Sequence, residues 1–113
     1  MPVQSAYLKR WFLIYNRRHF RNRLPKDTRV EWSSEIQKIA LERVHVHGKT
    51  KCSEIGCCRS FIRIHPELKT KMAVALMTLL HAMVHLDGHL THGPSFQKTM
   101  KRLAMKGAFN ELW

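Results

Sequence analysis

Met72-Ala73-Val74-Ala75-Leu76-Met77-Thr78-Leu79-Leu80-His81-Ala82-Met83-Val84-His85-Leu86-Asp87-Gly88 is the stretch around which the rest of this sequence can be read. Its apolar run, Met72 to Val84, is 13 residues long and is broken by Thr78 and His81. A membrane span needs about 20 apolar residues, so the run reads as a buried helix of a soluble protein. The helical pattern begins near Glu67 and ends at Asp87-Gly88, because glycine takes the left-handed cap conformation without steric cost. His81 and His85 are four apart, on one face, with backbones separated by a rise of about 6 Å. Gly88 can turn the chain back so that His89 and His92 reach the same point. A lone His-x-x-x-His pair is more often a packed pair than a ligand pair. Four histidines within the 12 residues from His81 to His92 shift the balance towards a metal, and three neutral imidazoles with an open fourth position are the usual catalytic zinc arrangement.

Upstream of this helix, Ser60-Phe61-Ile62-Arg63-Ile64-His65 reads as a strand closed by Pro66, and residues 48–59 read as a turn or long hairpin loop. Leu41 to His47 alternates, with Glu42, Val44 and Val46 on the only plausible packing face, and Val30-Glu31-Trp32-Ser33 is a further short strand. Residues 4–22 repeat apolar side chains at helical spacing, among them Tyr7, Leu8, Trp11, Phe12 and Tyr15, until Leu24-Pro25 ends the helix. Downstream, a last helix starts near Pro94 and runs to Gly107 with Phe96, Met100, Leu103 and Ala104 inward. Three strands in succession predict a small three-stranded antiparallel sheet. With an N-terminal helix, the central histidine-bearing helix and a C-terminal helix, the fold class is α+β and residues 1–113 form one domain.

Composition agrees with a small folded unit. The chain has 113 residues, 44% hydrophobic and 25% charged, with five Gly and four Pro, which excludes a disordered or fibrous chain and leaves no room for a second domain. Three cysteines, Cys52, Cys57 and Cys58, are an odd number in one short stretch, which argues against a disulfide framework and for a reducing, intracellular compartment. Their spacing is not a zinc-ribbon pattern. No secretory signal is recognisable at the N-terminus, so the whole chain reads as mature protein.

Lys and Arg number 20 against eight Asp and Glu, for a net charge of +12, a balance that favours nucleic acid or another polyanion as partner. Residues 1–29 hold eight of these cations against Asp27 alone and so carry +7 of the total. Arg10, Arg17, Arg18, Arg21 and Arg23, with Lys98, Lys101 and Arg102 of the last helix, are the candidate nucleic-acid contacts. A solvated helix face is the plain alternative. Tyr15 or Phe20 could stack on unpaired bases if exposed. His45, His47 and His65 lie on strands as half-exposed surface residues, and Trp11 and Trp32 belong to the core.

Leu79-Leu80-His81-Ala82-Met83-Val84-His85 followed by His92-Gly93-Pro94-Ser95-Phe96 resembles the SprT-like family of zinc metallopeptidases, to which Spartan belongs. That family carries His-Glu-x-x-His on a leucine-rich helix and then a His-Gly-x-x-Phe element. Tyr15-Asn16, Phe20, Arg23-Leu24-Pro25, Val30-Glu31-Trp32-Ser33 and Ile62-Arg63-Ile64-His65-Pro66-Glu67-Leu68 extend the likeness over roughly residues 10–105. The resemblance implies a minimal zincin-like protease domain holding one zinc ion through His81, His85 and His92, with His89 as the alternative third ligand. It also implies a protein substrate associated with or crosslinked to DNA and single-stranded or crosslink-bearing DNA as partner; the short apolar run already argues for no membrane partner. The zinc ribbon that some larger members append has no counterpart here.

Ala82 departs from the pattern. In such peptidases the glutamate takes a proton from the attacking water and passes it to the leaving amine, which alanine cannot do. Asp87 is no obvious replacement, because five positions along the helix it points elsewhere. The expectation is a metal-binding but catalytically inactive form, arising either from a laboratory substitution of the glutamate or as a natural pseudoprotease that serves as a zinc-containing DNA- or protein-binding module. The completeness of the remaining pattern favours the substitution. A plain DNA-binding protein whose histidines merely pack is the remaining rival.

Overall fold

The computed structural model describes residues 3–34, 42–45, 60–89 and 91–107. Strand β1 (Val3–Gln4) leads into helix α1 (Ala6–His19), whose first turn is capped by the Ser5 hydroxyl accepting the Leu8 N–H at 3.1 Å. Leu8, Phe12 and Tyr15 fall on one side of α1 and are buried together with Asn16. The helix stops at Phe20, earlier than Leu24-Pro25, with Arg21 and Asn22 in the left-handed region at φ 53° and 59°. Asn16 accounts for the early stop. Its amide is fully buried, accepts the Leu24 N–H at 3.1 Å and donates to the Leu24 carbonyl at 3.0 Å, so it pins the returning chain against the helix.

Strands β2 (Arg29–Trp32), β3 (Glu42–His45) and β4 (Phe61–Ile64) follow. They do not form the expected three-stranded antiparallel sheet. The order is β1-β2-β4-β3, and the central pair β2 and β4 runs parallel, with Arg29 opposite Phe61 and Trp32 opposite Ile64. β3 pairs antiparallel on the far side of β4, and the short β1 pairs antiparallel with β2. The antiparallel expectation assumed that strands neighbouring in sequence pair with each other, and β4 instead inserts between β2 and β3. The reason is burial. All of β4 and most of β2 are buried, as central strands require, whereas Glu42 and Val44 on β3 are only partly covered. Glu31 and Arg63 sit opposite each other across the parallel pair, both buried, with Arg63 Nε 3.3 Å from Glu31 Oε1. The α+β class itself stands.

The long central helix divides in two. A 3-10 turn spans Pro66–Thr70, Lys71 breaks it at φ −137°, and α2 runs over Met72–Leu86. His65, expected half-exposed, is buried, because its Nδ1 accepts the Glu67 N–H at 3.1 Å and caps the 3-10 turn. Helix α2 touches α1, β3, β4 and α3, which explains why Leu79, Leu80, Met83 and Val84 are fully enclosed. Gly88 ends it at φ 102°, and α3 (Pro94–Met105) packs Phe96 and Leu103 inward. Trp32 is buried and Trp11 is partly buried against the core. His47, Cys52, Cys57, Cys58 and the 48–59 loop lie outside the described residues.

Candidate metal centre

Two consecutive turns of α2 present His81 and His85, and the bend between α2 and α3 brings His92 to meet them. Ring nitrogens of the three lie within 4.8 Å of one another, a group that can hold a metal ion. His81 Nε2 and His92 Nε2 are 3.2 Å apart. Two nitrogens bound tetrahedrally to one ion at zinc-like bond lengths would be about 3.3 Å apart, so the spacing suits a shared ion. Phe96 backs the cluster, with its ring centroid 5.0, 4.7 and 4.8 Å from those of His81, His85 and His92. Pro94 in the first turn of α3 sets the exit direction of the chain two residues after His92.

Hydrogen bonds on the far ring nitrogens decide which nitrogen is available. His85 Nδ1 donates to the His89 carbonyl at 2.7 Å, leaving Nε2 with its lone pair towards the cluster. His81 Nδ1 donates to the Glu42 carboxylate. His89 does not join the cluster. Its Nδ1 is engaged by the Ser95 hydroxyl and its Nε2 lies 3.4 Å from Thr99 Oγ1, so its backbone carbonyl is what serves the site. Asp87 turns away to pair with Arg23 at 2.8 Å. Ala82 is fully enclosed in the core.

Glu42 escaped the sequence reading although a signal was present, since alternation along the strand had already placed this carboxylate on the packing face beside Val44. Its side chain is only 10% exposed, with Oε1 3.7 Å from His85 Nε2.

Burial is the main influence lowering the His85 pKa below its ordinary 6.5, opposed by the His89 carbonyl and Glu42 and reinforced by the neighbouring His81 and His92. His19, the last residue of α1, is lowered first by burial and then by Arg18, Lys106 and Arg102. Both effects have the same sign. Below 6.5 the unfolded chain takes up protons that the folded chain still refuses, so metal-free stability is full above that value and declines as pH falls through it. Thermal unfolding of the metal-free protein at a series of pH values is expected to show the midpoint dropping below about pH 6.5, with a shallower drop in His19→Gln.

The eight candidate nucleic-acid contacts Arg10, Arg17, Arg18, Arg21, Arg23, Lys98, Lys101 and Arg102 are all exposed, although Arg23 is engaged with Asp87. Phe20 is fully buried and Tyr15 is 4% exposed, so neither is placed to stack on a base. Trp11, Tyr15 and His19 form a ladder along α1, with successive centroids 5.4 and 6.0 Å apart. These rings line a cleft of about 500 Å³ whose rim includes Tyr7, Arg18 and Lys106. No helix among the described residues is long and apolar enough to cross a membrane.

Comparison with known families, curated proteins and solved structures finds no match.

Proposed function

We propose that this chain is a SprT-like zinc domain that acts on DNA-associated proteins and lacks, at Ala82, the general base of its chemistry. The observation that carries the reading is the convergence of His81, His85 and His92 from α2 and the following bend. Three imidazoles whose free nitrogens are Nε2, each of two rings fixed by a hydrogen bond at Nδ1, form a donor set suited to zinc. Bound there, zinc would supply a Lewis acid for a peptide carbonyl. The protein's own contribution is to hold the three rings, to back them with Phe96, and to leave the cluster accessible through the exposed His92. Elemental analysis of purified protein tests the reading, with one equivalent of zinc per chain expected and its removal by chelator reversible. Metal-free protein that takes up none would refute it and favour histidines that merely pack.

The enclosure of Ala82 in the core favours a second reading, in which the domain never carried a carboxylate there and binds rather than cleaves. Both readings share a nucleic-acid partner. Supporting it are the net charge of +12 and the cleft where aromatic rings meet Arg18 and Lys106. Binding of a single-stranded oligonucleotide is expected to quench tryptophan fluorescence, to weaken steeply with salt through counterion release, and to fall about tenfold in an Arg18→Glu, Lys106→Glu double variant. The same charge reversal at Lys98 and Lys101 tests the remaining candidate contacts on the last helix. A loss there with none at Arg18 and Lys106 would make the cleft irrelevant.

A further inference from the structure

The centre contains a buried carboxylate that the histidine pattern does not account for. Glu42 enters from β3, facing the turns of α2 that carry the ligands, with its side chain nine-tenths buried. Oε1 accepts the His81 Nδ1–H and stands 3.7 Å from His85 Nε2, while Oε2 is buried without a hydrogen-bond partner. Among the described residues its ion pairs are to these two histidines. Burying a carboxylate is costly unless positive charge compensates it. Both rings are met by Oε1, so the compensating charge is needed on the side of the histidine cluster. An ion held by the three rings would provide the charge.

We propose that Glu42 is the carboxylate arm of the metal centre. It is a positioning residue. By accepting the Nδ1–H it fixes His81 in the tautomer whose Nε2 lone pair faces His92, and its charge offsets that of a divalent ion. The centre would then be three histidines from the helix and bend together with a carboxylate from the sheet. This differs from the arrangement that the resemblance implies, where the nearby carboxylate belongs to the helix at position 82. The proposal rests on the metal-centre reading above.

The test compares wild type with Glu42→Gln and Glu42→Ala, using zinc and cobalt(II) added to metal-free protein against a competing chelator. Removing a carboxylate that orients a metal-ligating histidine typically weakens binding roughly 10–100-fold, and that loss is expected for Glu42→Ala. Glu42→Gln keeps an acceptor for the His81 N–H but loses the charge, so a smaller loss is expected. Cobalt absorption should shift in both variants. The unfolding midpoint of metal-free Glu42→Gln should hold, because the His81 N–H keeps an acceptor there. Wild type that binds no metal would refute the underlying reading. Wild type that binds while Glu42→Ala binds equally well would overturn the proposal and leave the centre standing. A collapse of metal-free stability in Glu42→Ala, with full affinity in Glu42→Gln, would assign Glu42 to packing alone and also overturn it.

Discussion

Zinc added to the metal-free protein is expected to raise its unfolding midpoint by about 10 °C when the free ion stands about a hundredfold above Kd, since binding to the native state alone then contributes about 2.7 kcal/mol and each kcal/mol moves a chain of this size by about 4 °C. His85→Ala should abolish the shift. His85 is 9% exposed and fixed by the His89 carbonyl, so its loss removes a preorganised ligand. If a site worth about 10 kcal/mol divides evenly among its protein ligands, one ligand is worth roughly 3 kcal/mol, or more than a hundredfold in affinity. His89→Ala supplies the contrast. That side chain is held by Ser95, outside the cluster, and the backbone carbonyl that serves His85 survives the substitution, so the zinc-dependent shift should persist. Calorimetry or thermal melts with and without chelator measure both. Equal loss in the two variants would return His89 to the ligand set.

The second large effect is a gain. Ala82→Glu places a titratable carboxylate next to His81 on α2, and general acid-base catalysis contributes roughly 10²- to 10⁴-fold, so chelator-sensitive cleavage of a DNA-bound protein should rise from undetectable by that order. A counterweight follows from the fold. Position 82 is fully enclosed, so the new side chain starts inside the core and carries a desolvation cost unless it reaches the site. The metal-free variant should therefore melt below wild type, and zinc should restore more of its stability than it adds to wild type. Cleavage appearing in this background would support a peptidase from which one group has been removed. A folded, zinc-loaded and inactive variant would support the binding module.

The three helices were legible because their signals are local. Apolar spacing, the Gly88 stop and Pro94 act within a few residues of themselves, and the structure places α1, α2 and α3 close to where the pattern puts them. Errors of extent came from side chains that reach beyond the local pattern. Asn16 ends α1 through the Leu24 backbone, and His65 caps a separate 3-10 turn where the pattern shows continuous helix. The sheet was less legible. The sequence places strands at 30–33, 41–47 and 60–65, near the observed Arg29–Trp32, Glu42–His45 and Phe61–Ile64, but pairing depends on which strand can be buried on both faces, and that is a property of the assembled layers.

The centre divides along the same line. His81 and His85 are bound to share a face by the pitch of one helix, and a glycine soon afterwards brings the chain back, so two positions and a short list for the third follow from spacing alone. Spacing alone left His92 and His89 both open and the resemblance named His92; the bend supplies the physical reason, since Ser95 draws the His89 imidazole aside and leaves its carbonyl for His85. Glu42 needed more again, because it is 39 residues from His81 and reaches it only after β4 has inserted itself between β2 and β3 and set β3 against α2. Helical geometry is local and can be written into a heptad of sequence. The meeting of a strand with a helix is not, since it depends on how the whole chain excludes water from its core.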